Sequence, residues 1–561
     1  MSKKIISSIP LAQQIITISK HKNLKHIVIS PGSRNAPLTI SFSNDPYFKC
    51  YSIVDERCAA FFALGIAQQT NEPVALVCTS GSALLNYYPA IAEAFYSDIP
   101  LVILSADRPK EHIDIGDGQT IRQEGVFKNH ILCEANLTND IGYSDNLLHT
   151  NFSKIAKAID IAKNEQGPTH INIPFYEPLY NTIEVAVEDV VALKSTNDVN
   201  ETYTCNEEIQ FEWNTTSKKL VLVGVLPPNR INDVVLDRLL KDPGVLLFTE
   251  TTSNLHHAKA IPSIDQLIAK LTAKEFKQLQ PELLLTFGGF VVSKKIKAFL
   301  REYTPKTHWH VNTKKAYDTY GCLTSHIKTT PQLFLDSLLG NDHPISVSNY
   351  QNFWLTQYQQ GVKGHDAYLK SIPYSDLLVF DQLIKKLPKQ AHLQLSNSST
   401  IRYTQLFKLP KGVEVFCNRG TSGIDGSTST AIGAAIMNNK SPILITGDLS
   451  FFYDSNALWN NYIPADFKII VINNDGGGIF RILPGDKEAS YFSTFLETTH
   501  QLKADKLAAM YGFTYSFTNG EDFAVKIDTF FKGNGRQILE IHTPRLINDT
   551  VLLKYFSKIR E

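Results

Sequence analysis

The sequence predicts an α/β protein made of three doubly wound, parallel-sheet blocks. Short apolar runs bounded by turn residues alternate with helical stretches along most of the chain. At 561 residues the chain is too long for one core and suits about three or four domains. Residues 63–109 and 431–477 read as copies of one unit, each running helix, Pro-led strand, Gly turn, helix, strand, polar turn. Asp107 follows Gly81 by 26 positions, and Asn473 follows Gly447 by the same interval.

The first block, residues 1–185, places strands at His26–Ile29, Tyr51–Val54, Val74–Val77, Leu101–Leu104 and Ile171–Ile173. Asp55-Glu56-Arg57 reads as the polar end of the second of these, and Cys58–Ala67 as a mostly buried helix. Residues 186–216, polar and acidic, read as a linker. The central block, 217–340, has strands at Lys219–Gly224, Gly244–Phe248, Glu282–Gly288 and His308–Val311. Residues 341–373 read as a polar, aromatic connector, and 374–561 as the third block, with buried strands at Pro442–Thr446 and Phe467–Ile472.

Composition narrows the class. Hydrophobic residues make up 43% and charged residues 20%, as in globular proteins. Lys+Arg and Asp+Glu number 55 each, so the formal net charge is zero and nucleic acid is not an expected partner. Seven cysteines without a CxxC pair suit a reducing, cytoplasmic compartment. No run reaches the roughly 20 apolar residues of a membrane span, and the N-terminus does not read as a signal peptide.

The most informative residues are Asp448, after the strand Pro442–Thr446, and Asn474, which stands 26 positions later after Phe467–Ile472. In open α/β sheets ligands bind beyond the carboxyl ends of such strands. The Asp448 carboxylate, the Asn474 amide oxygen and a backbone carbonyl at Gly476 make a set of hard oxygen donors, suited to Mg²⁺ (or Mn²⁺) holding a diphosphate. The first copy has Ser82 where the second has Asp448, so only one copy is equipped for a metal. That asymmetry fits a bipartite cofactor with its diphosphate on one domain and its ring on the other.

Gly447-Asp448 followed by Asn473-Asn474 resembles the diphosphate-binding signature of thiamine-diphosphate enzymes. The resemblance implies pyrimidine, central and diphosphate domains, with Gly447, Asp448, Leu449, Ser450, Asn474 and Gly476 at the cofactor and Asp448, Asn474 and Gly476 on the metal. It implies that Glu56, just before an Ala-rich helix, meets the aminopyrimidine ring, and that Ile424 in Gly423-Ile424-Asp425-Gly426 wedges the cofactor into its bent form.

Ser30-Pro31-Gly32-Ser33-Arg34, Ser105-Ala106-Asp107-Arg108-Pro109, Gln119, Asn397-Ser398 with Arg402, the segment Asn418–Gly426, and Ile479-Phe480 with Leu483 are similar to one branch of that family. These are the 2-succinyl-5-enolpyruvyl-6-hydroxy-3-cyclohexene-1-carboxylate synthases of menaquinone biosynthesis. The implied reaction decarboxylates 2-oxoglutarate and adds the succinyl carbanion equivalent to isochorismate in a 1,4-addition. Both substrates are dicarboxylates, which calls for Arg and Lys. Arg34, Arg108, Lys294, Lys295, Arg402 and Arg419 are the candidate carboxylate binders, with Ser398 beside them and Ile479, Phe480 and Leu483 as an apolar wall. Gln119, Ser33 and Arg34 join Glu56 as candidate catalytic residues. A homodimer or dimer of dimers is implied, with Glu56 and Asp448 of one site on different chains.

Three positions depart from the pattern: Lys295 stands where an Arg is familiar, Gly118 where an Asn is, and Asp475 where a third Asn often occurs. The alternatives are another thiamine-dependent carboligase or 2-oxo acid decarboxylase, or a silent member of the fold. A nucleotide-binding regulator is disfavoured, since no GxxxxGK[ST] loop occurs.

Overall fold

The computed structural model describes residues 3–139, 145–186, 202–269, 271–340 and 345–559. It contains three six-stranded parallel sheets, one for each predicted block, and a small antiparallel pair, Lys3–Ser7 with Thr182–Ala186.

The sheet orders bear out the copy reading. With the six strands of each sheet numbered by their place in the chain, the first and last sheets both run 2-1-3-4-6-5, whereas the central sheet runs 3-2-1-4-5-6. In each, the order reverses between two central strands and opens a crevice beyond their carboxyl ends.

The strands form where unbroken Val/Ile/Leu runs can be covered on both faces. Val74–Cys78, Leu101–Asp107 and Lys468–Asn473 are buried at every residue. The second strand is Lys49–Ser52 and stops before Val54. Glu56 consequently opens the following helix, Glu56–Thr70, with Asp55 as its N-cap accepting the Cys58 N–H at 3.0 Å. The polar strand end expected at 55–57 is thus a helix start, because Asp55 gives an orphan N–H of the first turn a partner.

The first and last domains share one core. The helices Glu56–Thr70 and Ser427–Ala435 lie against each other, and their apolar residues pack in a single cluster with both sheets. The central domain has its own core on either face of its sheet.

Two stretches read as connections carry helices. Residues 187–201 of the expected linker lie outside the described residues, but Glu207–Thr215 is a helix whose buried Trp213 stacks on Trp309 at 6.4 Å. In the expected connector, Tyr350–Leu369 is a helix that buries Tyr350 and Trp354 in the central core and Leu369 in the C-terminal one. Large aromatics in polar surroundings are the physical reason, since each gains more from burial than a solvated connection offers.

Among the described residues no helix is long and apolar enough to cross a membrane. All seven cysteines are free thiols; Cys58, Cys78, Cys205 and Cys417 are buried and Cys50, Cys133 and Cys322 half-buried.

Candidate active site

Four adjacent strands of the C-terminal sheet end side by side: Glu414–Phe416, Ala391–Leu395, Ser441–Gly447 and Lys468–Asn473. The loops leaving them carry Arg419, Ser398 with Arg402, Asp448, and Asn474. Parallel pairing thus gathers residues far apart in sequence at one edge.

Asp448 is the buried first residue of the helix Asp448–Tyr453. Its Oδ2 accepts N–H groups from Asn474 at 3.2 Å and Gly476 at 2.9 Å, and its Oδ1 accepts the Leu449 N–H at 2.6 Å. The Asn474 Nδ2 donates to Asp376 Oδ2 at 3.0 Å, which fixes the amide's orientation. Its Oδ1 is left buried without a hydrogen-bond partner. An orphaned acceptor oxygen beside a buried carboxylate is costly unless a donor or cation arrives. These oxygens therefore fit a hard divalent ion, and through it a diphosphate.

Gly476 completes the corner at φ +144°, where a Cβ would lie 2.6 Å from the Glu497 carbonyl oxygen. Burial pushes the Asp376 carboxyl up to about 6. The His500 Nε2 stands 3.4 Å from Asp448 Oδ2, and that carboxylate raises the imidazole's pKa. The Ser450 hydroxyl donates to the Ile424 carbonyl at 2.9 Å and so ties Ile424 to the start of the same helix.

The half-buried Glu56 carboxylate makes no hydrogen bond or ion pair among the described residues, to the Asp448 group or to any other side chain. An unengaged acceptor at the head of a buried helix suits a ring nitrogen supplied from outside. Among the described residues no hydrogen bond or ion pair links Glu56 to the Asp448 group.

The N-terminal domain gathers a second group. Arg34 is buried, donating to the Phe175 carbonyl at 3.0 Å and to Glu177 Oε1 at 3.1 Å. Burial, and then the charge of Arg108, lower its pKa. Arg108 donates to the Gly118 carbonyl at 3.1 Å, which brings it beside the exposed Gln119. Gln119 has φ +56°, and its backbone lies against Gly81. Ser33 is exposed in the loop before Arg34.

In the C-terminal domain Ser398 adopts φ +70° and ψ −126°, a conformation rare outside glycine and worth about 1–3 kcal/mol of strain. The Arg402 side chain has no hydrogen bond or ion pair among the described residues, and its Nε is buried without a partner. Arg419 donates to Asn397 Oδ1 at 2.6 Å. Asn397 also donates to the carbonyls of Asn418 and Gly423, both at 2.7 Å, so it pins the loop that carries Arg419 and Ile424. From the N-terminal domain, the buried Glu93 accepts the N–H groups of Gly420 at 2.7 Å and Thr421 at 2.6 Å.

Lys294 and Lys295 are exposed at the start of the helix Lys294–Glu302, and the Lys295 ammonium lies over the Phe556 ring at 4.7 Å. Phe480 and Leu483 are 36% and 39% exposed, and Ile479 is half-buried beside them. Sequence reasoning did not single out Asp376, Glu93, Glu250 or Lys297. Only Lys297 had a signal, its place three residues after Lys294 on the same helix face.

Comparison with known proteins agrees with this architecture. The family model for the N-terminal TPP binding domain of thiamine pyrophosphate enzymes matches residues 9–131, and that for the middle domain of thiamine pyrophosphate matches 193–395. The fold is that of a thiamine pyrophosphate enzyme. The chain is 53% identical over 556 residues to the 2-succinyl-5-enolpyruvyl-6-hydroxy-3-cyclohexene-1-carboxylate synthase of Flavobacterium psychrophilum, covering 99% of this chain and 100% of that one. It is 52% identical to the synthase of Flavobacterium johnsoniae (99% and 100% covered) and 38% to that of Porphyromonas gingivalis (97% and 96% covered). The chain belongs to the family of these synthases.

Proposed function

We propose that this enzyme decarboxylates 2-oxoglutarate and joins the remaining four-carbon unit to isochorismate by 1,4-addition, forming the product for which its relatives are named. The observation that carries the cofactor part is the Asp448–Asn474–Gly476 corner with its orphaned amide oxygen.

Thiamine diphosphate, when bound, supplies an electron sink that lets a 2-oxo acid lose CO₂. Asp448, Asn474 and the Gly476 carbonyl would hold Mg²⁺ or Mn²⁺, with Gly447, Leu449 and Ser450 at the diphosphate. Ile424 would support the bent cofactor, and Glu56 would hold a proton-sharing hydrogen bond with its pyrimidine ring. Arg34, Arg108, Arg402 and Arg419 would grip substrate carboxylates as planar forks. Ser398 and Gln119 offer polar contacts beside them. Ser33 is assigned to the same N-terminal cluster. Lys294, exposed at the start of its helix, would add a further cation for the substrates, while the Lys295 ammonium lies over the Phe556 ring.

The working unit in this reading is a homodimer or a dimer of dimers. Support comes from the Glu56 carboxylate, which has no hydrogen bond or ion pair to the Asp448 group among the described residues. The apolar Phe480 and Leu483, left open to solvent beside the metal corner, would gain a cover from a second chain. The domain division 1–185, 217–340 and 374–561 follows the three sheets, and a cytoplasmic setting suits seven free thiols.

The test is CO₂ release from 2-oxoglutarate with thiamine diphosphate and Mg²⁺, with and without isochorismate. Fast release that depends on isochorismate supports the reading. Release indifferent to it, or turnover of pyruvate instead, removes the substrate assignment.

A further inference from the structure

The helix Lys294–Glu302 faces the C-terminal domain from the central sheet, and two acids, the buried Glu250 and the half-buried Asp265, fix its start. Glu250, just beyond the strand Val245–Phe248, accepts the N–H groups of Val292 at 2.7 Å and Ser293 at 2.8 Å. Asp265 accepts the Ser293 hydroxyl, and Ser293 Oγ caps the Ile296 N–H at 3.2 Å. Ser293 is thus held from both sides. Burial pushes the Glu250 carboxyl up to about 7. Nearby, Asn254 exchanges hydrogen bonds with the backbone of Val415, accepting its N–H at 2.8 Å and donating to its carbonyl at 2.9 Å. That pair registers the central domain against the strand leading to Arg419.

The helix buries Ile296, Phe299 and Leu300 and places Lys294, Lys297 and Arg301 along another stripe. Lys297 is the half-buried member. It lines a cavity of about 610 Å³ between the three domains, with Arg419, Phe290 and Tyr320 in the same wall. Among the described residues its ammonium has no hydrogen bond or ion pair. Burial, and the charges of Arg419, Arg301 and Arg402, lower its pKa, with Glu250 opposing them. Glu250, whose charge reaches Lys297, spends a hydrogen bond of each oxygen on a backbone N–H and makes no ion pair with it. A cation held in a half-buried wall without a contacting anion is expensive unless a ligand brings one.

We propose that Lys297 is a further substrate-binding residue that takes a carboxylate of the acceptor, isochorismate, alongside Arg419. Arg402 and Ser398 are then left for the donor. They lie on the loop whose Ser396 hydroxyl accepts the Gly447 N–H at 3.2 Å, next to the diphosphate corner where the 2-oxo acid must react first. The acceptor is added second, from the side with room for a ring bearing two carboxylates, and the cavity provides that room. The proposal rests on the reaction given above.

The experiment compares wild type, Lys297→Met, Lys297→Gln and Lys297→Arg. Wild-type turnover of 2-oxoglutarate with isochorismate is read first, since its absence removes the underlying reaction rather than this residue's role. The Met and Gln variants should raise KM for isochorismate, and its Kd by calorimetry, about tenfold or more. KM for 2-oxoglutarate should stay within about twofold, and Lys297→Arg should recover most of the loss. Unchanged isochorismate KM and Kd in a variant of wild-type melting temperature overturns the proposal. So does an effect confined to 2-oxoglutarate.

Discussion

Gly65 and Gly433 meet across the two helices that join the N-terminal and C-terminal domains. A methyl on Gly65 would lie 2.2 Å from the Thr430 carbonyl oxygen, and one on Gly433 would lie 2.0 Å from the Phe62 carbonyl oxygen. Each glycine stands three residues after the carbonyl that its opposite number approaches, so the contact is reciprocal. The two copies of the unit therefore pack on each other through equivalent positions.

Gly433→Ala should weaken this joint. The new methyl meets backbone that no rotamer change can move, and overpacking of this kind costs about 1–3 kcal/mol. Urea unfolding should show a lower midpoint than wild type. An unchanged midpoint would mean that the helices can separate freely.

Asn474→Ala should abolish the metal-dependent part of cofactor binding. With wild type, thiamine diphosphate plus Mg²⁺ should raise the melting temperature, and a chelator should reverse the rise. The variant should show little rise at the same concentrations, while its apo melting temperature changes less. A full rise in the variant would place the metal elsewhere.

Mixing Glu56→Ala chains with Asp448→Ala chains should restore activity that neither has alone. If each site takes one residue from each chain, a mixed dimer has one intact site, and random mixing returns about a quarter of wild-type activity. Mixed dimers shown to form yet inactive would locate both residues on one chain.

Asp454 should make stability depend on pH. It is fully buried, accepts the Ser429 N–H at 2.7 Å and hydroxyl at 2.8 Å, and faces Cys58 across the same helix joint. Burial pushes its carboxyl from 3.8 up to about 7. The folded state thus keeps a proton that the unfolded chain gives up. The resulting stabilisation is complete below pH 3.8 and is lost as pH rises through about 7. Wild type should lose stability progressively between about pH 4 and about pH 7, and Asp454→Asn should flatten that slope in urea titrations. Equal slopes would assign the dependence to other groups.

Much of the architecture was legible because its signals are local. The runs Val74–Val77 and Phe467–Ile472 are apolar on both faces and could only be central strands. Asp448 and Asn474 were readable because each directly follows such a run, and a strand's end fixes where its next residue lies. The Glu56 helix was readable, but its start was not, since Asp55 becomes an N-cap only once Cys58 turns its N–H towards it. Trp213 and Trp354 sit in polar stretches that pattern alone reads as connections, yet both are buried.

By itself the sequence determined three α/β blocks, the kinship of the first and last, the oxygen-donor corner and the family. Those follow from hydrophobic period and from spacing along the chain, which survive without knowledge of distant neighbours. Only the tertiary structure decided that the Asn474 amide oxygen is the one left free, because Asp376, 98 positions away, takes the other end. It also decided that Lys295 lies over Phe556 while Lys297 lines the cavity between the domains. These are contacts between elements brought together by sheet order and helix packing, and no local pattern encodes which of two neighbouring lysines turns inward.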